Sequence, residues 1–588
     1  MPISNLTNGL LNGRTSSHLT TFTIKVDGTQ LPVEYGITSI NIENVINSIP
    51  TAQIVLEDGD AAQQGFEISS SSNLIPGKEL EILAGYSSDE NTVFKGIITK
   101  QKIRVNRRGK SQLQVECKDP SFRLALNRKS RYLKEVTDED VFEEIASGYE
   151  GVSVEFGLLP ALTVYSEVVQ YQVTDWDFLM MRAEKNGRYC TIKDGKLAVN
   201  SLPTVAVPVF SLEYGRDLIE VDIEMDARYQ AESVEATGWN EIDQQLLSGE
   251  KEDLSVPDHG NLSGKELAEV GGATIELKHS GNLSQQELDQ WAEGQMLKSR
   301  MSKIRGTLKF QGNHMAEPGA FIDLGGLGSR FNGTAFIAGI QHHIGQGDWH
   351  TTVQIGMSTE WHFQKYDAYQ YPASGFTAPI NGLQIGVVTQ LEDDPQGNER
   401  IKVRLPIINA GDDGTWARLA SADAGENRGF VWRPEVNDEV VVGFLNDDPN
   451  EAVILGALYS GAYPAPITAT ADNFEKGWIT KSGLKVLLND EDKSVELFTP
   501  NENRLLISDE DGGISLSDES GNKIVLNSDG IHLESAKDII LKATGDIKAE
   551  GINIEAKANA SFKAEGASTA ELSGGGQTTI KGGIVQIN

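Results

Sequence analysis

The last fifth of the chain is built from a very short repeated unit. From Gly477 onward, strand-sized pieces (KVLLND, SVELFT, RLLISD, GISLSD, NKIVLN, GIHLES) are separated by Asp, Asn or Gly turns, and apolar residues stand at alternate positions. The spacing then tightens, so that Leu533, Ile540, Ile547, Ile554 and Phe562 recur every seven or eight positions, and Ile580 and Ile587 continue the series. Each rung offers a single inward aliphatic between Lys, Glu, Asp, Ala, Ser and Asn. One buried aliphatic contributes about 1.5–3 kcal/mol, whereas every ordered residue costs about 1–2 kcal/mol of backbone entropy. One chain cannot offset that alone, and its strand edges stay open. Threefold intertwining answers both deficits by pairing edges between copies and bringing three seams to a common axis. A single-chain parallel β-helix is the competing architecture, but it needs about 20 or more residues per coil with broad aliphatic ladders. The pattern therefore predicts a homotrimeric β-needle with the seven residues named above on its axis.

The rest of the chain must carry other domains, because 588 residues exceed a single core at roughly 150 residues per domain. Residues 21–136 read as strand after strand (FTIKVDG, SINIENV, AQIVLEDGD, KELEILAGY, SQLQVECKD). Thr137 before three acids caps a short helix ending near Gly148, with Val141, Phe142 and Ile145 on one face. Thr174 opens a second helix, stopped by Asn186-Gly187, with Phe178, Met181 and Arg182 on or beside one face. A third begins at the Ser284…Glu287 capping box. The polar stretch around Ser248–Ser280 reads as a long loop or hairpin extension. After a linker at 373–382, five strand patterns within about 80 residues (383–462) read as a small closed barrel of the OB type. The division is an N-terminal arm 1–20, a region 21–372 of two β-domains with interspersed helices, the linker, the barrel, and the needle 463–588. The fold class is mainly β with a few helices.

Sixty glycines against 19 prolines suit many tight turns, and 85 acidic against 51 basic residues give a net charge of −34. A field of that sign disfavours nucleic acid and anionic lipid surfaces. Cys117 and Cys190 lie in separate strand patterns without a second ligand at metal spacing and read as small buried residues. The N-terminus has no basic segment followed by an apolar run, so no signal peptide is expected, and no stretch approaches the length of a membrane anchor.

The barrel segment GVVTQLEDDPQGNERIKVRLP, followed by TWARLAS and by RPEVNDEVVVGFLNDDPNEAVILGALYS, resembles the VgrG family and the related hub and spike proteins of contractile phage tails and extracellular injection systems. TDWDFLMMRAEKNGRY and PGAFIDLGGLGSRFNGTAFIAGIQHHIGQGDWHTTVQIG are similar to the helix and late strands of the phage-like hub, and the match spans almost the whole chain. The resemblance implies a structural spike at the tip of an inner tube, assembled in the cytoplasm and delivered extracellularly or into target cells. It also implies a homotrimer seated on inner-tube and baseplate proteins, a PAAR-type tip protein on the blunt needle end, and effector cargo on partners. The tip would dock on the last rung, Ile584, Val585, Gln586, Ile587 and Asn588. Some phage spikes place a lysozyme between barrel and needle; here only GAYPAPITATADNFEKGW stands there, and the chain ends on the needle with no fused effector expected. A polysaccharide-degrading or glycan-binding β-solenoid tail protein is the alternative.

Catalytic signatures (HExxH, GxSxG, a phosphate loop, paired CxxC) are absent from the sequence, and the expectation is a non-enzyme without cofactor or metal. Gly325-Gly326-Leu327-Gly328 joins two strand patterns and reads as a tight turn. His342 and His343 would point to opposite faces of a strand, so at most one could join His350. His532 falls opposite the seam. The paired acids Asp393-Asp394, Asp447-Asp448 and Glu143-Glu144 read as solvated turns and helix starts rather than a glycosidase pair.

Overall fold

The computed structural model describes residues 19–107, 110–157, 163–257 and 259–587. Two compact units divide the chain, 1–380 with 446–449 and the remainder.

In the first unit a 13-stranded sheet is built by pairing strands from both ends of the region. Its spine runs from Leu218–Met225 through Ile304–Gln311, Asp348–Ile355 and Gly333–Gly345 to Ile37–Val45, and on to Thr20–Val26 at the far side. The junction is antiparallel, with Ile42 opposite His342, so strands about 300 residues apart in sequence share one sheet rather than forming two. Alternating residues feed two cores: Ile40, Ile42, Ile54, Leu80, Leu113 and Val115 in one, Leu308, Ile322, Ile337 and Val353 in the other. Close packing fixes small residues at the seam between elements. A Cβ on Gly312 would sit 2.0 Å from the Trp349 ring, and that ring stacks on Tyr86 at 5.5 Å. Tyr86 donates to the Gly312 carbonyl at 2.9 Å, and burial pushes its hydroxyl up to about 12.

The helices begin where their caps predict. Thr137 and Asp140 form a reciprocal capping box at Asp138–Ser147, Thr174 caps Asp175–Lys185, and Ser284 with Glu287 starts Gln285–Met301; each such cap contributes about 1 kcal/mol. Gly187, at φ +65°, turns the chain out of the second helix. That helix buries Leu179, Met180 and Ala183 alongside Phe178, a wider face than the sequence pattern shows, because strands and helices close on it from several sides. Of the two readings of Ser248–Ser280, the hairpin extension holds at its start, which pairs antiparallel with Ser233–Asn240, and the long loop does not. The segment completes the strand Gln245–Lys251, forms a capped turn of helix at Gly264–Ala268, and adds Thr274–His279 as a strand parallel to Ser233–Asn240. Short strands with polar outer faces lack the alternation that would have revealed them.

The second unit opens with a closed five-stranded barrel: Gln384–Gln390, Ile401–Arg404, Thr415–Leu419, Ala452–Ala457 and Glu439–Phe444, the last pairing back to the first. Inward alternate residues Val388, Val403, Ala417, Val440, Val442 and Ile454 are fully buried. The parallel pairing of Thr415–Leu419 with Ala452–Ala457 closes it. Asp394 is not the solvated turn acid its neighbours suggest. It accepts from the amides of Gln396, Asn398 and Arg400 and from the Arg400 guanidinium, and that guanidinium, first among these partners, holds its carboxyl far below the usual carboxylate range. It serves as the pin of the first barrel turn.

After the barrel, seven strands of five residues form an antiparallel meander from Glu475–Ile479 to Gly530–Glu534, each paired with its neighbours in the chain. This part of the needle thus closes its own backbone ladders, where the sequence pattern had predicted pairing between copies. No strand is formed after Glu534 among the described residues. The backbone bends instead at intervals of about eight residues, at 544–545, 552, 559–560, 567–568, 575–576 and 583–584.

Candidate trimerisation face

The turns of the meander determine its register. Asn489 Oδ1 accepts from the amides of Glu491 and Asp492, Asp518 from those of Ser520 and Asn522, and Asn527 from that of Asp529. These are side-chain turns of the type Asn and Asp favour. Asn522, through its side-chain amide and backbone, holds the Asp518 carboxyl below its ordinary range.

With the register pinned, alternate residues stack in rows. Val486, Leu497, Leu505, Leu516, Ile524 and Leu533 are successive cross-strand partners. Leu488, Val495, Ile507, Ile514, Leu526 and Ile531 form a second row two residues away on the same face. Each strand therefore brings two aliphatics to this face, not one. Ten of the twelve are more than one-third exposed, Leu533 at 55% and Ile531 at 71%. On the opposite side, Leu506 is buried and His532 stands across from Val525, away from the aliphatic rows as its position between Ile531 and Leu533 requires.

Along the first row runs an apolar trough of about 890 Å³, lined by Trp432, Trp478, Val486, Leu505, Leu516 and Ile539 among others. A contiguous aliphatic face of this extent, with a concave row, is what a soluble chain covers with another surface. Its polar lining residues, among them Lys485, Arg504, Asp518 and Glu534, lie at the strand ends and turns.

The structure brings only Leu533 of the predicted axis residues into this trough. Ile539, rather than Ile540, lies beside it. Ile540, Ile547, Ile554, Phe562, Ile580 and Ile587 stand at 60–88% exposure along the bent thread. Of the predicted tip-docking residues, Ile584, Val585 and Gln586 are also exposed, and Asn588 lies outside the described residues. Sequence reasoning missed the second row, the tryptophans at the trough and Leu572, which is 76% exposed. A signal for Leu572 existed: aligned on the bends, DIKAEG, SFKAEG and TAELSG place polar or charged residues at positions one, three and five and apolar ones at two and four, with Leu572 at the fourth.

Other candidates resolve into structural roles. His342 is fully buried, within 2.9 Å of the Thr351 hydroxyl, and its Nδ1 accepts from the Trp349 indole; burial, then the nearby His314, push it down to about 4. His343 does face His350 across the strands and bonds Asn41. Among the described residues no three His, Cys, Asp or Glu side chains are placed to share a metal ion. Gly326 and Gly328, both at φ +77°, turn the chain between two strands. Cys117 and Cys190 are buried free thiols. No helix among the described residues is long and apolar enough to cross a membrane.

Comparison with known proteins agrees with this architecture. Residues 384–459 match the type VI secretion system/phage-baseplate injector OB domain, and 494–548 match the phage baseplate V C-terminal trimerisation domain, which covers most of the two aliphatic rows. An injector barrel followed by such a face defines a VgrG-type spike protein. The chain belongs to the family of the Alg8 N-terminal domain, whose model matches residues 16–346, more than half its length. It is 34% identical over 100 residues to the type VI secretion system spike protein VgrG4b of Pseudomonas aeruginosa, covering 16% of this chain and 12% of that one. It is 32% identical over 100 residues to the actin cross-linking toxin VgrG1 of Vibrio cholerae, covering 15% and 9%. The matches thus span about a tenth of these curated relatives. Among solved structures, the tail protein from Neisseria meningitidis MC58 is similar at 15% identity and a TM-score of 0.44, over 60% of this chain and all of that one.

Proposed function

We propose that this chain is the structural, non-enzymatic central spike of a contractile injection machine and works as a homotrimer. The observation that carries the reading is the uncovered double row of aliphatics in residues 486–533, coinciding with a trimerisation-domain match. In the mechanism, sheath contraction drives the tube and spike through the target envelope, and the needle transmits axial force because many registered strands must fail together. The hub region 21–372 seats on inner-tube and baseplate proteins, the linker 373–382 leads to the barrel 383–462, and the needle occupies 463–588. Leu533, Ile540, Ile547, Ile554, Phe562, Ile580 and Ile587 meet near the axis, and Ile584–Asn588 dock a PAAR-type tip protein. Effectors travel on such partners, and the particle is assembled in the cytoplasm before delivery outside the cell. The acids best placed to suggest hydrolysis favour this reading, since Asp394 is consumed by its turn and Glu143 and Glu144 are exposed on a helix.

The test is native mass. Three copies of the 63.9 kDa chain are expected, and a folded single copy would overturn the proposal. Removing 584–588 is expected to abolish tip-protein binding without changing that mass.

A further inference from the structure

The trough extends beyond the residues matched as a trimerisation domain. Its near end is formed by Trp478, on the first needle strand, and by Trp432, on the barrel segment just after the short hairpin of Ala424–Gly425 and Arg428–Gly429. These are the two most exposed of the chain's eight tryptophans, at 51% and 49%. Trp432 does not hang loose. It stacks on Phe430 with ring centroids 5.9 Å apart and planes 11° from parallel, and Glu435, three residues on, pairs with Lys481 of the needle at 3.0 Å. Two ordered indoles left half in water at the mouth of an apolar trough have the character of contact anchors, since tryptophan dominates interface hot spots.

We infer that a second copy of this chain covers Trp432 and Trp478, laying its outer row (Leu488, Val495, Ile507, Ile514, Leu526, Ile531) along the trough, so that the barrel itself takes part in needle assembly. The inference rests on the trimer reading. Continuity is the first argument: most of the trough lies within 494–548, and the tryptophans extend the same apolar surface without a break. Symmetry is the second. A closed ring of three is held by contacts in which one patch meets a different patch of the next copy, and this face carries two unlike rows, one inside the trough and one beside it. Pitch is the third, because both rows stand on the same strands and so share the same spacing of about 4.8 Å per strand. The row of one copy therefore matches the trough of the next rung for rung, and its near end at Leu488 falls toward Trp478.

The experiment places the photoreactive p-benzoylphenylalanine at position 432 of the full chain and irradiates the assembled protein. The expected product is a cross-link between copies, mapped to a peptide holding Leu488 or Val495. A particle of three copies whose cross-links stay within one chain, or do not form, overturns this inference and leaves the trimer standing. A single-copy mass overturns both. Independently, Trp432→Ala and Trp478→Ala are each expected to speed dissociation of the trimer in warm detergent by about tenfold or more, with circular dichroism unchanged. An unchanged rate in both variants would equally overturn the proposal.

Discussion

The two halves of the needle solve the same problem by different means. Residues 475–534 pair most of their own backbone in a seven-stranded meander, leaving unpaired only the outer edges of its first and last strands and an aliphatic face that wants a cover. Residues 538–587 form no strand pairing within the chain among the described residues, and beyond local ion pairs such as Lys548–Asp546 their aliphatics stand largely in solvent. Charge divides them the same way. The thread from 536 onward carries six acids and six bases, while 475–535 carries thirteen acids against six bases. The near half is a sheet that needs a cover; the far half is a bent thread that needs a sheet. An unpaired buried amide costs more than an uncovered methyl group, so the far half depends more completely on assembly.

The strongest way to break this comparison is Leu505→Asp, which puts a charge on the floor of the trough in every copy. Loss of the three-copy mass is expected, because burying an unpaired carboxylate costs several kcal/mol per chain. Hydrogen exchange on that single chain then separates the halves. Amides of 485–534 should retain protection from in-chain ladders, and those of 538–587 should exchange at free-chain rates; equal exchange in both would end the distinction. Next in size is Phe562→Ala, expected to cost about 3–5 kcal/mol per copy in the far half and to admit protease there first, with the mass still that of three copies. Leu572→Ala should act in the same direction and somewhat more weakly.

Acid provides a subtler probe. The Asp518 carboxyl has a depressed folded-state value, so its stabilisation is present above the unfolded value near 4 and is lost as pH falls through the folded one. Lowering pH from 6 to 3 should therefore loosen the 518–522 turn, read as faster amide exchange at Asn522, and Asp518→Asn should remove that dependence. The smallest expected effect is that of salt. Raising it screens the acidic excess of the near half and leaves the neutral far half nearly unmoved, a difference of tenths of a kcal/mol visible in local exchange rates.

Much of the architecture was legible before any coordinates. Barrel strands announced themselves by alternation bounded by charged turns, and helix starts by Thr137, Thr174 and Ser284, since caps and alternation act over a few residues. Only the hairpin half of the Ser248–Ser280 reading held, because the other short elements there are stabilised by contacts from outside the segment. Asp394 was misread because its partners at 396, 398 and 400 converge only once the turn closes.

Local chemistry in the sequence was enough to show a mainly β chain and to raise the expectation of a tail that needs partners. Tertiary structure decided which aliphatics share a row, that Ile539 rather than Ile540 lines the trough along with Leu533, and that the barrel's Trp432 reaches the same trough as Trp478. The physical reason is that periodicity reports the face a residue points to, whereas register, and with it the company a residue keeps, is set by turns and by strands hundreds of positions away.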